Sequence, residues 1–419
     1  MSQDPAFMTR RHFLRTGVIG GALASTLPSF LDQTLCRLEA AEVNSPLQRQ
    51  HGKDAPILVI LQLAGGNDGL NTVVPLENDD YRRARPKLSS VEKNALMLND
   101  DLGFHESLSG LKSLYDEGML SVLNGIGYPN PNRSHFRSTE IWHTAAPEGR
   151  KGGDGWVGRY FDNQCQGQPA EVGISLTSSP PQTFQGPSPL GITFRNPKEF
   201  SFDDDEELMS GASVGMATGR SRERNDSPLH FLERTDLDAR VSSDHLHATL
   251  KKMPSPQGFP KNQIANDLSL VARMIGGGMS TRIYYVSQGG FDTHANQINS
   301  HARLLKNLGD AQKAFWTEMK RQGNTQRVQM LVFSEFGRRV AENGSNGTDH
   351  GAGAPVFVIG GKQKGGLVGA LPSLDPKDLN RGDVSHHTDF RQVYATLLDE
   401  HLNANSSQVL GKSWSKIKL

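Results

Sequence analysis

The chain is poor in cysteine, and this scarcity excludes a fold built on disulfides. Its 419 residues include two cysteines, Cys36 and Cys165. Cys36 falls in an N-terminal segment that we expect to be removed, so Cys165 would remain alone and no internal disulfide would form. The sequence also has no cysteine cluster, haem motif or dinucleotide-binding loop, which makes a redox protein the least favoured class.

Net charge and long apolar runs are missing as well. The 45 Lys and Arg residues balance the 45 Asp and Glu residues, so there is no overall basic field to bind nucleic acid or an anionic membrane. No segment beyond the N-terminus is apolar enough to predict a stable membrane span. The 36% of hydrophobic and 21% of charged residues predict a folded domain with a sizeable core.

The N-terminus is typical of an export signal. Arg10 and Arg11 are followed by Phe13 and Leu14 and then by a mild apolar run that ends near Leu31. Adjacent arginines before such a run are typical of the twin-arginine signal; the alternative is a chance arginine pair before a first helix. We predict a signal peptide over residues 1–41, a linker over 42–56, contact with the twin-arginine translocase, and a periplasmic or secreted protein.

The remaining chain alternates strand and helix patterns. The apolar run Ile57–Leu61 predicts a strand buried on both faces, as in a parallel sheet covered by helices. Further strands are predicted at Met119–Leu123, Arg282–Val286, Val328–Phe333 and Pro355–Ile359, and helices from about Ile298 to Arg321 and from Asp389 to Leu402. This order predicts one α/β domain over residues 57–419, doubly wound, with a mostly parallel sheet, helices on both faces and a surface insertion at about 196–260.

Acidic and histidine side chains lie near the ends of these strands. In chain order they are Asp68, Asp292, His294, Glu335, Asp349 and His350. Each alone has an ordinary interpretation as a turn residue, a solvated acid or a surface histidine. Because function in an open α/β sheet collects outside the carboxyl ends of the strands, we expect them to meet at one edge and to bind one divalent metal or two, with zinc or manganese suited to mixed carboxylate and imidazole ligands.

A nucleophile is predicted near the start of another helix. Ser134 and His135 follow a loop rich in proline and asparagine and precede a helix that runs to about Trp142. A metal would activate the hydroxyl of Ser134, and the helix N-terminus favours an anion there. Two alternatives stay open: Ser134 only caps the helix, or His135 is the functional group, as a base or a ligand.

Five short motifs together resemble a known family. They are Gly65-Gly66-Asn67-Asp68-Gly69, Arg133-Ser134-His135-Phe136, Gly290-Phe291-Asp292-Thr293-His294, Phe333-Ser334-Glu335-Phe336-Gly337-Arg338 and Gly347-Thr348-Asp349-His350-Gly351. With the twin-arginine start, they resemble the exported bacterial domain-of-unknown-function family fifteen hundred and one, which is similar to the alkaline phosphatase/sulfatase superfamily.

This resemblance implies a site with two divalent metals beside a covalent nucleophile. It implies that Asp68 and Glu335 hold one metal, that Asp292, His294 and His350 hold the other, that Asp349 joins either, and that Ser134 is the nucleophile. An alternative alignment moves Asp349 and His350 to the second metal and makes His387 the distal ligand.

Two functions follow as expectations. The first is an exported metal-dependent hydrolase of phosphate or sulfate esters, acting on a small-molecule or glycan ester with zinc, manganese, calcium or magnesium. The second is a non-catalytic binding or surface protein on the same fold. Phe336 favours the second, because it stands where a metal-binding histidine would follow the acid.

Overall fold

The first strand, β1 (Ile57–Leu63), shows how the sequence builds the sheet. All seven of its residues are buried, and they alternate between two hydrophobic clusters, with Val59 and Leu61 in one and Leu58 and Ile60 in the other. Successive side chains of a strand point to opposite faces of the sheet. The unbroken apolar run is therefore explained by packing on both sides of the strand.

The computed structural model describes residues 55–146, 152–187, 191–200 and 228–419, and for 199 and 228–238 it describes the backbone alone. The predicted signal peptide, almost all of the predicted linker and part of the predicted surface insertion lie outside the described residues. Their interpretations stay predictions. The described part of the insertion contains a long helix, Pro228–Lys252.

The described residues form twelve strands. They are β1 (Ile57–Leu63), β2 (Val73–Pro75), β3 (Leu96–Met97), β4 (Leu102–Phe104), β5 (Leu120–Gly127), β6 (Gly173–Ser175), β7 (Ile192–Thr193), β8 (Ile283–Gln288), β9 (Val328–Phe333), β10 (Ala354–Gly360), β11 (Gly366–Val368) and β12 (Thr388–Asp389).

Helices connect these strands. Within the described ranges the α-helices are α1 (Gly69–Thr72), α2 (Asp79–Ala84), α3 (Ser109–Asp116), α4 (His135–Thr144), α5 (Trp156–Gln164), α6 (Pro228–Lys252), α7 (Gln263–Gly276), α8 (Gln297–Arg321), α9 (Phe390–Thr396) and α10 (Ser406–Leu410). None of the described helices has the length and apolar character needed to cross a membrane.

One large sheet organises the domain. Its strands follow the order β11-β5-β10-β9-β1-β8-β6-β7, and β12 pairs with β5. The pairs that β1 makes with β8 and β9 are parallel, and so are the pairs of β6 with β8 and β7 and of β5 with β11 and β12. Strand β10 runs antiparallel to both of its neighbours, β5 and β9. A separate small sheet contains β2, β4 and β3.

Helices cover both faces of the large sheet. Leu111 of α3, Val271 of α7 and Phe315 of α8 pack with the first hydrophobic cluster. The second cluster includes the helix residues Trp142 of α4, Tyr160 of α5 and Val393 of α9. The fold is a mixed α/β domain with a mostly parallel sheet between two helical layers, which confirms the predicted class.

The last predicted helix differs from its predicted form. Helix α9 ends at Thr396, and one π-helical segment, Leu397–His401, continues the chain. The apolar spacing of this region predicts a helix but does not distinguish α from π hydrogen bonding, since one inserted residue changes the bonding locally.

Candidate metal centre

The sheet topology brings distant segments to one edge. The carboxyl ends of the parallel strands β1, β8 and β9 meet there, and β5 ends at the same edge. Because β10 is antiparallel to β5 and β9, it begins at this edge rather than ending there. The segment before β10, which carries Asp349 and His350, therefore meets the segments that follow β8 and β9.

His135 is the first residue of α4 and enters the edge from the loop after β5. Its Nδ1 lies 2.9 Å from Oε1 of Glu335, which also accepts the amide of Gly65 at 2.8 Å. An ionised carboxylate only accepts hydrogen bonds, so the ring carries its proton on Nδ1. Nε2 then presents a lone pair, is buried without a hydrogen-bond partner, and lies 3.5 Å from Oδ1 of Asp292.

His350 has the same arrangement with a different partner. Its Nδ1 lies 2.7 Å from the carbonyl oxygen of Arg133, which can only accept. Its Nε2 lies 3.1 Å from Oδ1 of Asp292 and is the nitrogen available to a metal in the tautomer that carries its proton on Nδ1.

His294 completes a set of three imidazoles. Its Nδ1 lies 3.2 Å from Oδ1 of Asp349, and its Nε2 lies 3.0 Å from Oδ1 of Asp292 and 3.0 Å from Nε2 of His350. The side chain of Asn343 donates to Asp349 and is the main reason that the pKa of this carboxyl is lowered. Asp349 is thus an acceptor for the Nδ1 proton of His294.

Asp292 lies at the centre of the three rings, and its side chain is 48% exposed. Nη2 of Arg338 donates to its Oδ1 at 2.7 Å. Partial burial raises the pKa of Asp292, but the hydrogen bond from Arg338 and smaller contributions from the histidines outweigh it and lower the pKa to about 2. The carboxylate is therefore ionised at any ordinary pH.

Arg338 holds Asp292 and the neighbouring loops in place. Its side chain is fully buried, and its guanidinium also donates to the carbonyl oxygens of Gly65, Gly66, Phe291 and Thr348. Gly65 has φ +117°, and a Cβ there would lie 2.5 Å from the amide nitrogen of Asp292. A glycine is required at this position because the loop after β1 touches the backbone of Asp292.

The donor set fits a divalent transition metal. His135, Asp292 and His350 each offer a ligand atom within 4.8 Å of the others, and His294 approaches two of them. In the neutral tautomers with Nδ1 protonated, all three Nε2 atoms are available to bind a cation beside Oδ1 of Asp292. Three nitrogens and one oxygen are typical of zinc and other borderline metals, whereas calcium and magnesium prefer oxygen ligands. The set therefore fits zinc better than it fits calcium or magnesium.

Glu335 and Asp349 lie behind the imidazoles instead of among them. Glu335 is 2% exposed and contacts Nδ1 of His135, and Asp349 contacts Nδ1 of His294. Carboxylates in this position orient metal-binding histidines and fix their tautomers. These contacts favour a supporting role over the ligand roles that the sequence resemblance implies.

Asp68 is not brought into this group. It is fully buried, and its Oδ2 accepts from Arg85 at 2.6 Å and from Gln297. Burial raises the pKa of Asp68, but the charge and hydrogen bond of Arg85 outweigh it, so the pKa is lowered. The buried carboxylate is thus bonded to a guanidinium and an amide and is not among the grouped ligand atoms.

Ser134 is also outside the group. It is exposed and precedes α4 as the N-cap residue, but its hydroxyl makes no capping hydrogen bond. Its amide donates to Oδ1 of Asn132. His387, the alternative distal ligand, places its ring against Gly125, and the group of ligand atoms does not include it.

Sequence reasoning missed the side chains that hold the centre in place. Arg338 belongs to one of the five motifs. Its position shortly after Phe333, the last residue of β9, is the signal that could have identified it as part of the centre. The contact of Arg85 with Asp68 and the positions of Gln297 and Asn343 have no comparable signal, because they depend on packing between segments far apart in the chain.

The fold and site together define an α/β domain with a histidine-rich candidate metal centre at the carboxyl edge of its sheet. The chain belongs to the family described as "Protein of unknown function (DUF1501)", whose family model matches residues 55–414. No curated protein matches the sequence.

Similar solved structures include three hydrolases. They are a sulfatase from Pseudoalteromonas sp. (9% identity, 92% of this chain and 72% of that chain, TM-score 0.35), the phosphonate monoester hydrolase of Agrobacterium radiobacter (11%, 86% and 78%, 0.34) and the alkaline phosphatase of the Antarctic bacterium TAB5 (8%, 75% and 94%, 0.31). Similarity at this level carries no conclusion about this chain.

Proposed function

We propose that the protein is an exported, metal-dependent hydrolase of phosphate or sulfate esters. The observation that carries this proposal is the convergence of three imidazole Nε2 atoms on Oδ1 of Asp292, with each Nδ1 held by an oxygen acceptor. The ester class comes from the sequence resemblance to the alkaline phosphatase/sulfatase superfamily.

The proposed ligands are His135, Asp292, His294 and His350. A divalent metal held by them would polarise an ester oxygen and lower the pKa of a nearby water or hydroxyl. Arg338 keeps Asp292 ionised and directed at the centre. His135 is then a ligand and not the base, because its Nδ1 is bonded to Glu335 and its Nε2 would bind the metal. The group holds one metal, in place of the two that the resemblance implies.

Ser134 is the proposed nucleophile, with a water molecule as the alternative. Its hydroxyl is exposed beside His135 and does not cap the helix. Attack by the Ser134 oxygen on the phosphorus or sulfur would form an enzyme-bound ester and release the alcohol of the substrate, and water would then hydrolyse the enzyme-bound ester. Replacement of Ser134 by alanine distinguishes these routes, because a water route would continue without the hydroxyl.

The test of the proposed function combines metal analysis with a substrate screen. The purified mature protein is expected to contain one equivalent of a transition metal and to cleave aryl phosphates or aryl sulfates. Asp292→Asn and His294→Ala should lose both metal and turnover. Normal turnover in either variant would contradict the assignment.

A non-catalytic binding protein is the second candidate. Phe336 packs its ring against those of His135 and His350, with centroids 4.9 and 4.8 Å apart, and so fills space beside the centre with an apolar group. A protein that retains metal but cleaves neither ester class would favour this candidate.

Export through the twin-arginine translocase to the periplasm, or beyond it, completes the proposal. It is supported by the arginine pair and apolar run of residues 1–41. The proposed substrate is a small-molecule or glycan ester, and the balanced charge of the chain gives no reason to expect nucleic acid as a partner.

A further inference from the structure

Gln297, the first residue of α8, joins the two loops that carry the proposed metal ligands. It is fully buried, and its Oε1 accepts from the hydroxyl of Thr293 at 3.0 Å and from the hydroxyl of Thr348 at 2.7 Å. One amide oxygen therefore holds one side chain from the loop after β8 and one from the loop before β10.

The two threonines stand directly beside the ligands. Thr293 lies between Asp292 and His294 in the chain, and Thr348 is two residues before His350. The amide of Thr348 also donates to the carbonyl of Thr293 at 3.2 Å. A shift in either hydroxyl would move its loop relative to the other and would change the 3.0 Å separation of His294 Nε2 and His350 Nε2.

Asp68 sets the orientation of the Gln297 amide. The ionised carboxylate only accepts, so Nε2 of Gln297 must face Asp68 and Oε1 must face the threonines. Arg85 binds the same carboxylate oxygen at 2.6 Å and stabilises its charge in this buried place. The contact thus explains why an acid is buried here, away from the metal centre.

We propose that Gln297, oriented by Asp68, is a positioning residue that fixes the spacing of the two ligand loops. The inference rests on the proposed function, because it takes residues of these two loops to be metal ligands. The loop-to-loop connection itself involves none of the proposed metal ligands and is tested separately.

The first test removes one hydroxyl with little change of volume. Thr348→Val should weaken zinc affinity about 10–100-fold, the range typical of outer-shell partners, and should alter the visible spectrum of the cobalt-substituted protein. In the metal-free protein, amide exchange of peptides that cover residues 345–352 should accelerate. The matched control is Thr281→Val, a buried threonine whose hydroxyl donates to the carbonyl of Glu171 at the far end of β8. It should change neither metal affinity nor this exchange.

The second test exchanges acid and amide. Gln297→Glu places two carboxylates against each other and should weaken zinc affinity at least as much as Thr348→Val. Asp68→Asn added to Gln297→Glu places one amide donor against one carboxylate, at the loss of the hydrogen bond that Arg85 makes to the same atom, and should recover part of the affinity and of the cobalt spectrum. If Gln297→Glu does not fold, recovery of folding by the double variant supports the same contact, and Thr348→Val decides the positioning role.

The outcomes separate this inference from the proposed function. Metal affinity and amide exchange that match the wild-type values in Thr348→Val would overturn the inference, as would faster exchange without any loss of affinity. If the wild-type protein binds no metal, the proposed function fails, and unchanged exchange in Thr348→Val would then overturn the loop connection as well.

Discussion

Nε2 of His294 and Nε2 of His350 lie 3.0 Å apart. The Nδ1 atoms of both rings face oxygen acceptors, so in the neutral tautomers with Nδ1 protonated both Nε2 atoms are available as metal ligands beside Asp292. Two nitrogens bound to one tetrahedral zinc, at bonds of about 2.0–2.1 Å, lie roughly 3.3 Å apart. The observed separation is close to this value, so the two nitrogens are spaced for one bound zinc ion.

The first prediction concerns metal retention by these two histidines. His294→Ala and His350→Ala should each lower zinc affinity by more than the roughly 10–100-fold typical of an outer-shell change, because a ligand itself is lost. Chelator competition on the purified proteins measures this. His247→Ala, on α6 and bonded to the carbonyl of Phe200, is the control and should bind zinc normally. Equal affinity in all three variants would remove the basis for the centre.

The second prediction concerns the carboxylates behind the rings. Glu335→Gln and Asp349→Asn keep the side-chain volume but remove the charge that holds each Nδ1 proton. We expect each to weaken zinc binding about 10-fold or more without loss of stoichiometry at saturating metal. Complete loss of binding would instead indicate that the carboxylate is itself a ligand, as the sequence resemblance implies.

The third prediction concerns the buried ion pair of Asp68 and Arg85. Both side chains are fully buried, so Arg85→Met should lower the free energy of unfolding by about 3–5 kcal/mol, because it leaves an uncompensated charge inside the protein. Lys306→Met, which breaks a largely exposed pair with Asp310, should cost about 0–1 kcal/mol. Denaturant titration compares them. Equal costs for the two variants would contradict the prediction.

The sequence predicts the edge of the sheet better than it predicts the contacts made there. The run Ile57–Leu61 identifies the buried strand because burial on both faces requires it to be apolar throughout. Asp292 and His294 follow a strand and so meet the edge, as expected. The meeting of His350 with them depends on the antiparallel direction of β10, and an apolar strand pattern carries no information about direction.

The role of Asp68 illustrates the same limit. A carboxylate near a strand end has the same local sequence whether it faces the edge or the interior. Its partner Arg85 lies 17 residues further along the chain, beyond the short spacings from which helix or turn contacts are predicted. No local sequence pattern therefore distinguishes a metal-binding Asp68 from an Asp68 that pairs with a buried arginine.

The fourth prediction concerns export. Replacement of both Arg10 and Arg11 by lysine should abolish transfer to the periplasm, because the twin-arginine pair is the recognised part of the signal. Cell fractionation with antibody detection measures this. Lysine at positions 82 and 83, a second adjacent arginine pair on α2, is the control and should leave export unchanged. Normal export after replacement of Arg10 and Arg11 would contradict the predicted signal.

The fifth prediction concerns stability in acid. His143 is buried, its Nε2 lies 3.0 Å from the hydroxyl of Tyr285, and burial lowers its pKa to about 4 from 6.5. The unfolded chain therefore binds a proton in the pH range in which the folded chain does not. Stability from this group is complete above pH 6.5 and is lost as the pH falls through 6.5 towards 4. The full loss is about 3 kcal/mol.

His143→Gln removes the titrating group and retains an amide that can donate to Tyr285. The variant is less stable at pH 7 in absolute terms, but its free energy of unfolding should fall by about 2–3 kcal/mol less than that of the wild type between pH 7 and pH 4. His301 and His401, whose pKa values burial also lowers to about 4, remain in both proteins, so the difference isolates His143. Parallel stability curves over this pH range would show that His143 is protonated equally in the folded and unfolded chains.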